Sequence, residues 1–137
     1  MMFVTMFVGV LDLATGKLQY TNAGHNAPVL VSNGNVGMLK VDSNVALGIM
    51  GDWEYSLQEL TLSPDDVLFL YTDGLTEATR ADGELFEEKR VLENLSGNEG
   101  DIPVSEVISR MTAAVEEFVG DAEQSDDLTM MALRLLR

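Results

Sequence analysis

The chain has 137 residues, 46% of them hydrophobic, which is enough for one domain with its own core. It contains no cysteine, which excludes disulfides, thiolate metal sites and cysteine nucleophiles. The formal net charge is −15, and a surface this acidic repels nucleic acid and anionic membranes. No segment reaches the roughly 18 apolar residues of a membrane-spanning helix. A surface with this negative charge is compatible with cation binding, with a basic protein partner, or with solubility alone.

In the first half of the chain, short apolar segments alternate with turn signals, a pattern typical of an antiparallel sheet. It opens with MMFVTMFVGVL, eleven residues that we interpret as a core strand beginning abruptly, because a signal peptide would need a basic start and a cleavage motif. Turn signals follow at ATGK, NGN and SPDD, and Gly16 can supply positive φ in the first turn. The predicted strands are FVGVLDL, LQYTNA, VLVS, VGMLKV, YSLQELTL and DVLFLYT.

The second half is predicted to be mainly helical. LTEATRADGE reads as a polar connection, and FEEKRVLENL has helical spacing that places Phe86, Val91 and Leu95 on one face. SGNEGDIPVS reads as a linker. From Pro103 to Phe118, apolar residues recur every three or four positions, which indicates an amphipathic helix. LTMMALRLL closes the chain as a strand that must return to the sheet, so we predict one α+β domain.

The stretch VLFLYTDGLTE contains the first candidate for chemistry. An unbroken apolar run from Val67 to Tyr71 predicts a strand buried on both faces, and it leads directly into Asp73 and Gly74. A carboxylate at a strand end can hold a hard cation, and the glycine behind it lets backbone and water approach closely. The alternative is an ordinary turn, for which Asp-Gly is a frequent dipeptide.

Two further segments carry candidate residues. In QSDDLTM, the adjacent carboxylates of Asp126 and Asp127 invite a cation, although a solvated loop would look the same. TNAGHNAP holds His25, the single histidine, which could be an acid, a metal ligand, a phosphate contact or a loop-stabilising residue. It has no identified partner that would make it part of a catalytic triad.

Three motifs occur along the chain in the order TNAGHNAP, LYTDGLTEA and SDDLTMMAL, with ALGI between the first two. Together they resemble the metal-dependent serine/threonine protein phosphatases (PPM, type 2C-like), in the SpoIIE/RsbU branch. The resemblance implies an antiparallel β-sandwich with flanking helices and a two-metal site for Mn²⁺ or Mg²⁺. It implies that Asp73 and Asp126 are metal ligands. Asp127 would either support these ligands without touching the metal or be a weaker alternative ligand, and Gly74 and Thr129 would be structural neighbours. Two cations bridged by a water would lower its pKa and aim it at phosphorus.

The sequence departs from the family pattern at its start. It lacks the GD..D and D..G.G motifs that hold the family's other metal-binding aspartates, and Asp12 falls in a predicted hairpin turn instead. The resemblance therefore identifies residues 1–137 as a single domain, the C-terminal part of a catalytic domain truncated at the N-terminus, with no complete catalytic set. Absent strands would leave sheet edges that a homodimer could cover.

By resemblance, the function is hydrolysis of phosphoserine or phosphothreonine on a bacterial cytoplasmic protein such as a phosphorylated anti-sigma-factor antagonist. The isolated chain is expected to be weakly active or inactive. The alternative is a non-catalytic, phosphatase-like binding module in a signalling pathway.

Overall fold

The computed structural model describes residues 1–97 and 102–136, so part of the predicted linker SGNEGDIPVS, residues 98–101, lies outside the described residues. The described residues form seven strands and three helices: β1 (Met6–Leu11), β2 (Lys17–Ala23), β3 (Val29–Ser32), β4 (Asn35–Met38), β5 (Gln58–Thr61), β6 (Val67–Tyr71), α1 (Asp73–Thr76), α2 (Glu87–Leu95), α3 (Val104–Val119) and β7 (Met130–Arg134). Among them, no helix has the length and apolar character that crossing a membrane requires.

The strands form two sheets in which every pairing is antiparallel, as predicted. The first sheet has the order β1-β2-β5 and the second the order β4-β3-β6-β7. The predicted turns connect the hairpins: Gly16 has a φ of 78°, and Asn33 and Gly34 adopt positive φ between β3 and β4. Asp12 belongs to the first turn, where its Oδ1 accepts the N–H of Ala14 at 2.9 Å.

The second sheet lies between the first sheet and the helices. Leu68 of β6 packs against Leu18 and Tyr20 of β2, which places an apolar layer between the two sheets. Phe69, the next residue of β6, belongs to a larger core that includes Val91 of α2 and Met111 of α3. Alternate side chains of β6 therefore enter two different apolar layers, which confirms the prediction of a strand buried on both faces.

Strand β1 differs from the prediction in its burial. It was expected to be a core strand, but it has one neighbour and forms the edge of its sheet. Met6, Val8 and Val10 on its outer face have exposed fractions of 40%, 45% and 67%. Only the inner face is packed, with the Phe7 ring 5.6 Å from that of Tyr20. The apolar start of the chain is therefore a strand as predicted, but only half of it contributes to the core.

Two other elements also differ from the sequence prediction. The segment LTEATRADGE was predicted as a polar connection, yet the chain forms the short helix α1 directly after β6 because Leu75 is fully buried and anchors that turn in the core. The fourth predicted strand continued beyond Met38, but β4 ends there. Leu39 is nevertheless buried, and its N–H donates to the Pro28 carbonyl at 2.7 Å.

Two buried tyrosines lead to opposite stability predictions. The Tyr20 hydroxyl donates to the Lys40 carbonyl at 2.6 Å, so Tyr20→Phe is expected to cost about 1 kcal/mol of unfolding free energy. The Tyr71 hydroxyl is buried without a hydrogen-bond partner among the described residues, so Tyr71→Phe should be neutral or slightly stabilising. Urea unfolding of both variants tests this pair of predictions. An equal cost for the two substitutions would contradict it.

Candidate metal site at the ends of the central strands

Asp73 follows β6 and Asp126 precedes β7, and these two strands are neighbours in the second sheet. Tyr71 at the end of β6 pairs with Met130 at the start of β7. The pairing continues one step further, where the N–H of Thr72 donates to the Thr129 carbonyl at 3.2 Å. Because the strands are antiparallel, the end of one and the start of the other lie at the same edge of the sheet. The Asp73 and Asp126 segments therefore meet there.

Gly74 brings the two segments into direct contact. A Cβ atom at this position would lie 1.9 Å from the carbonyl oxygen of Asp127 and 2.9 Å from its carbonyl carbon. No side chain fits in that space, so the glycine is required for the close approach of two backbones rather than for its φ. At the Asp-Gly dipeptide, the start of α1 therefore contacts the backbone of the Asp126–Asp127 pair that precedes β7.

Hydrogen bonds hold both segments in place around this contact. The N–H of Glu77 donates to the Asp73 carbonyl at 2.8 Å, which closes the turn of α1. The Ser125 hydroxyl donates to the Glu77 carbonyl at 3.4 Å, and the Gln124 side-chain amide donates to the Asp126 carbonyl at 2.6 Å. Gln124 and Ser125 were not predicted as part of the site, because their only sequence signal is that they directly precede the two aspartates.

The carboxylates themselves are exposed and chemically available. Asp126 Oδ1 accepts the N–H of Asp127 at 2.7 Å, which fixes the orientation of that carboxylate. Within the described residues, the Asp73 carboxylate has neither a hydrogen bond nor an ion pair. Ionised carboxylates act only as acceptors, and oxygen donors without a protein cation beside them suit a hard divalent ion. Asp73 and Asp126 therefore each offer the type of oxygen donor that Mn²⁺ or Mg²⁺ prefers.

The described part of the chain does not assemble a larger ligand set. Within residues 1–97 and 102–136, no group of three or more histidine, cysteine, aspartate or glutamate side chains lies close enough together to hold a metal ion. The chain brings two candidate segments together through Gly74, and the geometry supplies no third ligand from the described residues.

His25 lies at the same end of the sheets. It lines a small cavity of about 120 Å³ together with Thr72 and Thr129, the residues that extend the pairing of β6 and β7. Its Nδ1 is 3.0 Å from the Thr5 hydroxyl, and its carbonyl accepts the side-chain amide of Asn22 at 2.8 Å. These contacts match the loop-stabilising interpretation, and the cavity shows that the TNAGHNAP segment borders the candidate site.

Tyr71 lies beneath the site as a neutral group. Burial, and to a smaller extent the nearby carboxylates of Glu88 and Asp73, raise the pKa of its hydroxyl to about 12. The hydroxyl is therefore protonated at neutral pH, and Tyr71 cannot serve as a general base there.

Comparison with known proteins places the chain in a family. The family model described as "Stage II sporulation protein E (SpoIIE)" matches residues 1–136. Among curated proteins, the chain is 30% identical over 132 residues to Protein IcfG of Synechocystis sp. and 25% identical over 134 residues to the phosphoserine phosphatase RsbU of Bacillus subtilis. Among solved structures, it superposes on the SiaA PP2C domain of Pseudomonas aeruginosa with a TM-score of 0.81 and 24% identity.

The matches cover nearly all of this chain and a smaller share of the relatives. They include 96% of the chain but 20% of IcfG, and 97% of the chain but 39% of RsbU. For the SiaA structure the shares are 95% and 51%. The fold match confirms the predicted α+β architecture of antiparallel sheets with helices. The chain belongs to the SpoIIE family of PP2C-like serine phosphatase domains and covers part of such a domain.

Proposed function

We propose that residues 1–137 are the C-terminal part of a metal-dependent phosphatase domain in which Asp73 and Asp126 bind Mn²⁺ or Mg²⁺. The observation that carries the proposal is the contact of Gly74 with the Asp127 carbonyl, since it brings the two aspartate segments together in a chain of this family. The remaining ligands would come from residues other than the described ones.

Each residue of the site has a separate task in this proposal. Asp73 and Asp126 supply the oxygen donors, and Gly74 allows the backbones to approach closely enough for the two to act together. A metal held by Asp73 and Asp126 would supply local positive charge, which would make a bound water more acidic and neutralise phosphoryl oxygens. The chain has a net charge of −15, so a phosphorylated substrate needs such local positive charge in order to approach.

The proposed substrate is phosphoserine or phosphothreonine on a bacterial cytoplasmic protein, of the anti-sigma-factor antagonist type. Membership in the family supports this choice, as does the likeness to RsbU, which is named as a phosphoserine phosphatase. The second candidate is a non-catalytic binding module. The absence of a three-ligand group among the described residues favours it.

The isolated chain is expected to hydrolyse an aryl phosphate little or not at all in the presence of Mn²⁺, because two carboxylates do not make a bridged two-metal site. A p-nitrophenyl phosphate assay with added Mn²⁺ measures this. Robust hydrolysis that disappears in Asp73→Asn would show that the chain is catalytically complete. Failure of the chain to bind Mn²⁺ at Asp73 and Asp126 would instead favour the binding module.

We also propose that the isolated chain forms a homodimer through β1. This edge strand is uncharged and exposes Met6, Val8 and Val10, whereas edge strands that stay unpaired usually carry charges. Val8→Lys is expected to shift sedimentation velocity profiles to the monomer. Met38→Lys, on the edge strand β4 of the other sheet, is the control and should leave the dimer intact. A wild-type chain that stays monomeric at all concentrations would contradict this proposal.

A further inference from the structure

A second cavity lies on the helix side of the Asp126 segment. It is half open, has a volume of about 260 Å³, and is bounded by α1, the C-terminal half of α3 and residues 120–128. Its apolar wall includes Ala78, Val115 and Leu128. A volume of this size accepts one medium-sized side chain or a small organic ligand.

The polar part of this cavity is acidic. Glu116 of α3 and Glu123 of the following segment both line it, and each is exposed. Neither carboxylate has a hydrogen bond or ion pair with another described residue, and none of the described lining residues is lysine, arginine or histidine. Arg80, next in the chain to the lining residue Thr79, pairs with Asp82 and Glu84 instead.

We propose that this cavity binds a lysine or arginine side chain of a protein partner. Such a side chain has an apolar stem that matches Val115 and Leu128, and a cationic head that matches Glu116 and Glu123. A neutral apolar ligand would gain no attraction from these exposed carboxylates, and an anionic ligand would be repelled by them. Gly74 and Asp126 also line the cavity, so the bound side chain lies against the segment that carries the candidate metal ligand.

The test is a titration of the ¹⁵N-labelled chain with two isosteric probes, monitored by NMR in the presence of EDTA. The first probe is Nα-acetyl-lysine methylamide, and the second is the norleucine compound, which lacks the ammonium group. The lysine probe is expected to shift the amide resonances of Ala78, Val115 and Ala122 in a saturable way. The norleucine probe should bind about threefold more weakly because it forms no ion pair. EDTA removes divalent cations, so the result does not depend on whether Asp73 and Asp126 bind a metal.

Matched variants test the role of the two carboxylates. The double variant Glu116→Gln with Glu123→Gln is expected to weaken binding of the lysine probe about threefold. Glu117→Gln is the control, because Glu117 is exposed on the same helix and does not line the cavity. Equal affinity for both probes, or unchanged binding by the double variant, would overturn the proposal. Tighter binding of free pentylamine than of the capped lysine would overturn the choice of a protein partner.

Discussion

Gly74→Ala is expected to lower the free energy of unfolding by about 2 to 3 kcal/mol, as overpacking of a tightly packed position does. The new Cβ would lie 1.9 Å from the Asp127 carbonyl oxygen, and this obstacle is backbone rather than the end of a flexible side chain. Either α1 or the segment before β7 must therefore move. Urea unfolding measures the loss as a lower midpoint at an unchanged slope.

Gly51→Ala is the matched control for this substitution. No atom lies within 4 Å of a Cβ at Gly51, and its φ is not in the left-handed region, so alanine should be neutral or stabilising by up to about 1 kcal/mol. If Gly74→Ala were as stable as Gly51→Ala, the two segments would not be packed as the structure shows. The proposed site would then lose the contact that brings its two aspartate segments together.

Asp73→Asn and Asp126→Asn are each expected to reduce the affinity of the chain for Mn²⁺ at least about tenfold. Asparagine keeps one oxygen donor but removes the negative charge that a hard cation prefers. Because both residues are proposed to act on the same cation, the double variant should bind little more weakly than either single variant. Electron paramagnetic resonance of free Mn²⁺ during a titration gives these affinities.

Asp52→Asn is the control for general charge attraction. The chain has 23 acidic residues, so some Mn²⁺ will associate with any exposed carboxylate. Asp52 is exposed and has no hydrogen bond or ion pair with another described residue. A loss of affinity in Asp52→Asn as large as that in Asp73→Asn would mean that the chain binds cations diffusely, without a site.

Local sequence patterns predicted the elements that have strong periodicity or a long apolar run. The three- and four-residue spacing before Phe118 predicted α3, and its buried residues are Val107, Met111 and Val115 as that pattern requires. The unbroken run of β6 likewise predicted burial on both faces. In these segments, each residue's environment follows from its immediate neighbours in the chain.

The remaining features depend on contacts between distant parts of the chain. Helix α1 has four residues and one deeply buried anchor, Leu75, which is too short for a periodic signal. The strand pattern predicted β1, but no local pattern shows whether a strand has one neighbour or two. The contact of Gly74 with Asp127 joins two motifs from different parts of the chain, and the family resemblance, rather than residue spacing, linked them before the structure did.

Paramagnetic broadening by Mn²⁺ tests the central claim most directly, namely that the Asp73 and Asp126 segments form one cation site. Small additions of Mn²⁺ to the ¹⁵N-labelled chain broaden amide resonances close to the bound ion. We predict simultaneous broadening around Asp73–Gly74 and Asp126–Asp127 that Asp73→Asn reduces at both segments. Broadening spread evenly over the acidic surface, or centred on one segment and unaffected at the other, would contradict the claim.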